Sequence, residues 1–422
     1  MIQKDLAALT PPMGWNSWDC YGASVTEKQL LANAEVMKEK LLATGYEYVV
    51  CDIQWSEPSA DSTEYHAYAR LTMDTYGRLL PAYNRFPSGF QAIAEKIHEM
   101  GLKFGIHIMR GIPRQAVYSD FPILGTRYTA REVTLPFREC RWNTDMYGLN
   151  PNHPGAQAYY DSIFKMYAEW GVDYVKVDDI CRTDFNANDS YAAKADIEMI
   201  RNAIDKSGRE MVLSLSPGPA KTDNVWHLSK YANMWRITDD LWDDWPPVKA
   251  MFQRLEAWQT HVQPGCWPDA DMLPLGTLRM WKGGIPSNLT HDEQYTLMTL
   301  WCIFRAPLMM GGELTKLDSF TENLLTNPNV LPLTQSPYQA RQIARTEEYA
   351  VWTNLDKESR PVVALFNISD APAIVRVNLS EITEESVTAA VNLWTDEEIK
   401  IEGPDIAANL RQHACIIYQL KP

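Results

Sequence analysis

No uninterrupted apolar run approaches the roughly 18 residues that a membrane-spanning helix requires. The N-terminal stretch MIQKDLAALTPPMGW has neither the apolar core of a signal peptide nor a small-residue cleavage site, so a soluble, cytoplasmic protein is expected. Positive charge is scarce, with 39 Lys and Arg against 54 Asp and Glu and a formal net charge of -15. That balance excludes nucleic acid and anionic membrane as partners, because a phosphate backbone demands a basic face. The 7 cysteines (20, 51, 140, 181, 266, 302 and 415) form no CxxC pair and show no zinc-type spacing. Neither a disulfide framework nor a structural metal is indicated, and Cys51 and Cys302 sit in apolar runs typical of core residues. There is no GxGxxG, no Walker loop, no HExxH, and no Ser-His-Asp or Cys-His assembly, so no cofactor is expected.

What is present is ample core material: 422 residues, 45% of them hydrophobic, more than one core usually supports. The 15 Trp and 20 Tyr offer flat aromatic faces suited to sugars, although most aromatics in any protein are core. A strand-then-helix alternation runs through the first three quarters of the chain. Helical periodicity is read at 26–44, 89–100, 154–170, 190–205, 225–231, 247–260, 291–305 and 319–325. Strands are read at 46–52, 102–108, 172–178, 211–216, 233–239, 266–273 and 307–311, with PPMGWNSW opening the first unit. Eight such units predict an α/β fold, a (β/α)₈ TIM barrel over residues 1–330, with a doubly wound sheet as the lesser alternative. Residues 109–150 form an irregular insertion of a length typical of a lid or binding loop. Short β-rich segments divided by turn residues then predict an antiparallel β-sandwich over 338–422.

In such a barrel the C-terminal ends of the strands converge on one mouth. GVDYVKVDDICR, residues 171–182, is the most telling of them: a buried strand that stops on two carboxylates, Asp178 and Asp179. Read in order, the strand ends bring Trp18, Asp52, His107, Lys176 with Asp178, Ser216, Arg236 with Asp240, and Asp269 with Asp271. Carboxylates and a tryptophan suit glycoside cleavage, in which one carboxylate attacks and another protonates the leaving oxygen. The same acids (Asp178, Asp240, Asp269, Asp271) suit a divalent cation in a metal-dependent lyase or isomerase. Spacing does not separate the two, and a non-catalytic sugar-binding protein is a third reading.

The stretches PPMGWNSWDCYG, YEYVVCDIQW, GLKFGIHI, VDYVKVDD, WRITDDLWDDW, CWPDADMLPLG and RAPLMMGGEL resemble, in order, the signatures of glycoside hydrolase family 27, the clan D α-galactosidases. The resemblance spans nearly the whole barrel, and the sandwich matches too. It implies a retaining exo-glycosidase with Asp178 as nucleophile and Asp240 as general acid/base. It also implies that Lys176 binds a sugar hydroxyl and holds Asp178 ionised, that Arg236 binds the 2- or 3-hydroxyl, that Trp18 packs on the sugar, and that Asp52 grips the 4- and 6-hydroxyls. His107 stands where many members carry Tyr, and Ser216 where some carry selectors of a 2-substituent. Asp179 is expected to cap a helix or support the site from behind, and Asp269 and Asp271 to be structural or supporting groups.

The usual Asp-Asp after the second strand is here Asp52-Ile53, so a hydrocarbon replaces the acceptor of the galactose 6-hydroxyl. β-L-arabinopyranose is α-D-galactopyranose without that CH₂OH, and Ile53 therefore favours β-L-arabinopyranosides, with an ordinary α-galactosidase as the alternative. Cys181 lies one place later than the family's cysteine, against a family-type disulfide. The expected partner is a small glycoside or oligosaccharide, and a homo-oligomer is compatible with the chain.

Overall fold

The structure, a computed structural model, describes residues 3–61 and 64–422. Strand and helix alternate from the start: β1 (Met13–Asn16), α1 (Glu27–Lys40), β2 (Tyr48–Cys51), α2 (Gly89–Glu99), β3 (Lys103–Met109) and α3 (Pro154–Trp170). They are followed by β4 (Tyr174–Asp178), α4 (Lys194–Ser207), β5 (Val212–Leu215), α5 (Val225–Tyr231), β6 (Met234–Arg236) and α6 (Trp245–Trp258). The last two cycles are β7 (Trp267–Asp269), α7 (His291–Phe304), β8 (Leu308–Met310) and α8 (Ser319–Thr326). The eight strands pair in parallel in the order β7-β6-β5-β4-β3-β2-β1-β8. A parallel bridge from Leu273, just past β7, to Met310 joins the two edges, with the Leu273 N–H donating to the Met309 carbonyl at 2.8 Å. The expected (β/α)₈ barrel is the fold found.

Local chemistry explains the elements. β2 (YVVC) and β5 (VLSL) are buried at every position, as befits parallel strands covered on both faces. Thr26 and Gln29 form a reciprocal cap at the start of α1, and Thr290 and Glu293 do the same for α7. Gly171 ends α3 with φ 82°, a left-handed conformation that a side chain would resist. The insertion carries a short helix, Arg114–Tyr118, and a three-stranded sheet built from residues 112–113, 134–135 and 146–149, so it is more ordered than its sequence suggests.

The C-terminal unit contains β9 (Arg341–Arg345), β10 (Tyr349–Leu355), β11 (Pro361–Asn367), β12 (Ala373–Asn378), β13 (Ala389–Asn392), β14 (Glu398–Lys400), β15 (Asp405–Leu410) and β16 (Cys415–Lys421). Six form an antiparallel sheet, β9-β10-β11-β16-β13-β14, and β12 pairs with β15. Val351, Val363 and Leu365 of the first sheet share a core with Val375, Val377, Ile406 and Leu410 of the second, which is the sandwich expected. Helix α7 is buried on nearly all faces because the sandwich covers its outer side. There Trp394 Nε1 donates to Thr299 Oγ1 at 2.8 Å and Thr296 Oγ1 to the His413 carbonyl at 2.6 Å. Among the described residues no helix is long and apolar enough to cross a membrane.

One buried side chain ties the loops above β1 and β2. The Arg85 guanidinium donates to the carbonyls of Ala23, Val25, Gln54 and Glu57. Its planar fork satisfies backbone acceptors that water reaches poorly. Arg85→Met is therefore expected to lower unfolding stability by about 3 kcal/mol, measured by urea titration. A loss under about 0.5 kcal/mol, the range of ordinary surface changes, would show that the fork is dispensable.

Candidate active site

Side chains two apart on a strand share a face, so Lys176 and Asp178 of β4 enter the barrel mouth together. The Asp178 Oδ1 accepts the N–H of Asp179 at 2.7 Å. Its Oδ2 lies 3.1 Å from His107 Nε2, on neighbouring β3, and 3.4 Å from Ser216 Oγ, just past β5. Burial alone would push the Asp178 carboxyl up. The hydrogen bond and charge of His107, the charge of Lys176 and the Asp179 N–H outweigh it and hold the group below its ordinary range.

Lys176, expected to bind a sugar hydroxyl and hold Asp178 ionised, turns its ammonium away from Asp178 and toward Asp52. Nζ donates to Asp52 Oδ2 at 3.0 Å, an oxygen that also accepts from Asn16 Nδ2 at 2.8 Å. The Ile53 N–H closes on Asp52 Oδ1 at 2.9 Å. Burial opposes both charges, yet Lys176 and His107 hold Asp52 far below the usual carboxylate range, and Asp52 and Asp178 raise Lys176. Lys176 thus acts on Asp178 through charge and not through a hydrogen bond.

At β6 the Arg236 Nη2 sits 2.9 Å from Asp240 Oδ1 and 3.0 Å from Asp271 Oδ2. Asp240 is 65% exposed and Arg236 only 4%, so a buried cation anchors a carboxylate at the rim. Burial and the nearby Asp240 raise the Asp271 carboxyl, against the pull of Arg236. Asp269 does not line the cavity; its Oδ1 accepts the Asp271 N–H at 2.9 Å, and burial pushes its carboxyl up to about 6.

All nine expected site residues line one cavity of about 390 Å³: Trp18, Asp52, Ile53, His107, Lys176, Asp178, Ser216, Arg236 and Asp240. That volume lies within the range of small-ligand pockets. Asp271, expected to be structural, lines it as well. Asp179 caps no helix, since α4 begins only at Lys194. Its backbone is left-handed (φ 53°), which turns the carboxylate away from Asp178 to an ion pair with Arg110 Nη2 at 2.5 Å. The seven cysteines are all free, and Cys140 packs against Ile53.

Sequence reasoning missed Asp19, Tyr65, Trp142, Trp242 and Met272, all of which line the cavity. Tyr65 and Trp142 come from loops with no strand register to project them. Tyr65 stacks on Trp18 with ring centroids 6.1 Å apart and planes 9° from parallel, and Trp142 of the insertion follows at 5.6 Å from Tyr65. Around Ile53 the wall is apolar: Ala23, Met109, Cys140 and Met146 form its buried core, with Trp18, Ala60 and Tyr65 packed against it. Among the described residues no group of three or more His, Cys, Asp or Glu is arranged to hold a metal ion. Asp240 and Asp271 instead converge on Arg236.

A barrel whose mouth gathers paired carboxylates, a lysine and an arginine beneath tryptophan is that of a carbohydrate-cleaving enzyme. The model of the family "Alpha galactosidase A" matches residues 10–129 and 144–336, and that of the "Alpha galactosidase C-terminal beta sandwich domain" matches 346–420. The chain belongs to this α-galactosidase family, glycoside hydrolase family 27, and is a glycosidase. Its structure is similar to a family 27 β-L-arabinopyranosidase from Geobacillus stearothermophilus, with a TM-score of 0.96 and 49% identity over 100% of this chain and 98% of that one. The sequence is 28% identical over 418 residues to the α-galactosidase of Cyamopsis tetragonoloba, covering 98% of this chain and 86% of that protein. Human α-galactosidase A is 28% identical over 438 residues, covering 98% and 82% respectively.

The Asp52–Lys176 pair yields a pH test. The folded Asp52 carboxyl lies below its unfolded value of about 3.9, so its contribution is fully present above that pH and is lost as pH falls toward the folded value. Asp52→Asn leaves a buried ammonium uncompensated and is expected to cost about 3 kcal/mol at pH 7. In chemical unfolding the gap to wild type should narrow below about pH 4. A gap constant from pH 7 to 3 would contradict the assigned ion pair.

Proposed function

We propose that the protein is a retaining exo-glycosidase that releases terminal β-L-arabinopyranosyl residues and acts more slowly on α-D-galactopyranosides. In the first step Asp178 attacks the anomeric carbon, the bond from that carbon to the leaving oxygen breaks, and Asp240 gives that oxygen its proton. In the second step Asp240 takes a proton from water, and the water oxygen displaces Asp178 from the same carbon. Two inversions leave the configuration unchanged. The depressed Asp178 carboxyl supports the first role, since a nucleophile must be ionised. The exposed rim position of Asp240 supports the second, since a proton donor must meet both leaving group and water. Asp52, Lys176 and Arg236 are assigned to the sugar hydroxyls and Trp18 to a C–H face of the ring, with His107 and Ser216 orienting Asp178.

The observation that carries the choice of sugar is the wall around Ile53. A galactose CH₂OH placed there would meet the Ile53 side chain, which lines the cavity with Met109, Cys140 and Met146 packed behind it and offers the hydroxyl no acceptor. Leaving a buried hydroxyl unpaired costs about 1–3 kcal/mol, or about 5- to 150-fold in kcat/KM. An arabinopyranose has no such group. The similar Geobacillus stearothermophilus enzyme is named a β-L-arabinopyranosidase, and a variant of it has been crystallised with arabinose, which supports the same choice. The reading as an ordinary α-galactosidase, the name of many relatives, predicts the opposite ranking.

Comparing p-nitrophenyl β-L-arabinopyranoside with p-nitrophenyl α-D-galactopyranoside is expected to favour the arabinoside in wild type. Ile53→Asp should move the kcat/KM ratio toward the galactoside by about tenfold or more. A wild-type preference for the galactoside, or a ratio indifferent to the substitution, would contradict the assignment.

A further inference from the structure

The proposed reaction accounts for the inner groups of the cavity and leaves its rim unexplained. Lys176, Asp178 and Arg236 are 13%, 13% and 4% exposed, whereas Asp240 is 65% exposed. The sugar that is cleaved off belongs with the inner groups. The leaving group must then extend outward past Asp240, because the group that protonates the leaving oxygen has to touch it.

Trp242 stands at that place. It lies two residues beyond Asp240, lines the same cavity, and is half-buried. The loop between them is pinned, since the Leu241 N–H donates to Asp271 Oδ2 at 2.7 Å. The Arg279 guanidinium lies 4.8 Å from the centre of the Trp242 ring. Arg279 is itself locked by two hydrogen bonds to Asp243, Nη1 to Oδ2 at 3.0 Å and Nη2 to Oδ1 at 2.5 Å. The Asp243 side chain is only 1% exposed and also accepts the Asn288 N–H at 2.8 Å. A buried carboxylate thus holds an arginine, and the arginine backs an indole. A support of this kind fixes the ring's attitude before any ligand arrives, which lowers the entropy cost of stacking on it.

We infer that Trp242, backed by Arg279 and Asp243, is the platform of a leaving-group subsite, and that the natural leaving group is itself a pyranose. A pyranose presents a C–H face to stack on an indole and a rim of hydroxyls to meet a charged neighbour such as Asp240. The natural substrate is therefore a glycoside in which the terminal sugar is joined to another sugar ring. The inference rests on Asp240 being the proton donor of the proposed reaction.

The test compares two substrates with the same terminal sugar. One is β-L-arabinopyranosyl fluoride, whose leaving group is too small to reach Trp242. The other is a disaccharide in which the β-L-arabinopyranosyl unit is linked to a galactopyranose. Trp242→Ala is expected to lower the ratio of kcat/KM for the disaccharide to kcat/KM for the fluoride by about tenfold or more, mainly through KM. Trp242→Phe should recover at least half of that ratio. An equal fall on both substrates would assign Trp242 a purely structural role, and an unchanged ratio would place the leaving group elsewhere; either overturns the inference. Wild-type inertness toward the fluoride would instead remove the glycosidase reading of Asp178 and Asp240 on which it rests.

Discussion

The mouth of this barrel depends on one constraint: two carboxylates must stay ionised where burial disfavours charge. Lys176 makes this feasible by pairing with Asp52 at 3.0 Å while its field extends to Asp178. The ammonium is itself buried and raised, so neither partner is stable there without the other. Direct contact to Asp178 is left to His107, Ser216 and the Asp179 N–H. The hydrogen bonds set the direction of the Asp178 carboxylate, and the ion pair next to it sets the electrostatic environment. On the proposed reading, the arrangement separates sugar recognition from control of the nucleophile, although all these side chains share one cavity.

The second theme is that sugar choice, on the proposed reading, rests on Ile53 and on the apolar packing that holds it in place. Ile53 faces the cavity, and behind it pack Ala23 from the loop above β1 and Cys140 and Met146 from the insertion. Trp18, Tyr65 and Trp142 continue the surface as a run of aromatic rings. The free Cys140 serves as an ordinary apolar group there.

Much of this was legible in the chain because strand ends have a register. Asp52, His107, Lys176, Asp178, Ser216 and Arg236 could be placed at the mouth as strand ends, with the family resemblance choosing Asp178 over Asp179. The sandwich was legible for the opposite reason: β12 alternates Ile374 and Arg376 outward with Val375 and Val377 inward. What escaped notice lay in segments without a period. Tyr65, Trp142 and Trp242 are on loops, and no spacing rule projects a loop side chain into a cavity. Of the two roles expected for Asp179, the helix cap is absent and the supporting one is taken through a left-handed backbone and an ion pair with buried Arg110. Asp271, expected as a structural or supporting group, reaches the cavity because its φ of 79° directs it to Arg236. Strand β15, with the sequence DIAANL, lacks the β-branched run that marks its neighbours and went unread.

The account stands on Asp178 as the group that bonds to the sugar. The direct measurement is turnover of p-nitrophenyl β-L-arabinopyranoside by Asp178→Ala, without and with sodium azide. Loss of the carboxylate should abolish turnover, and azide, occupying the vacated space, should restore it and leave an arabinopyranosyl azide of inverted configuration. Near-normal activity of the variant without azide would contradict the account.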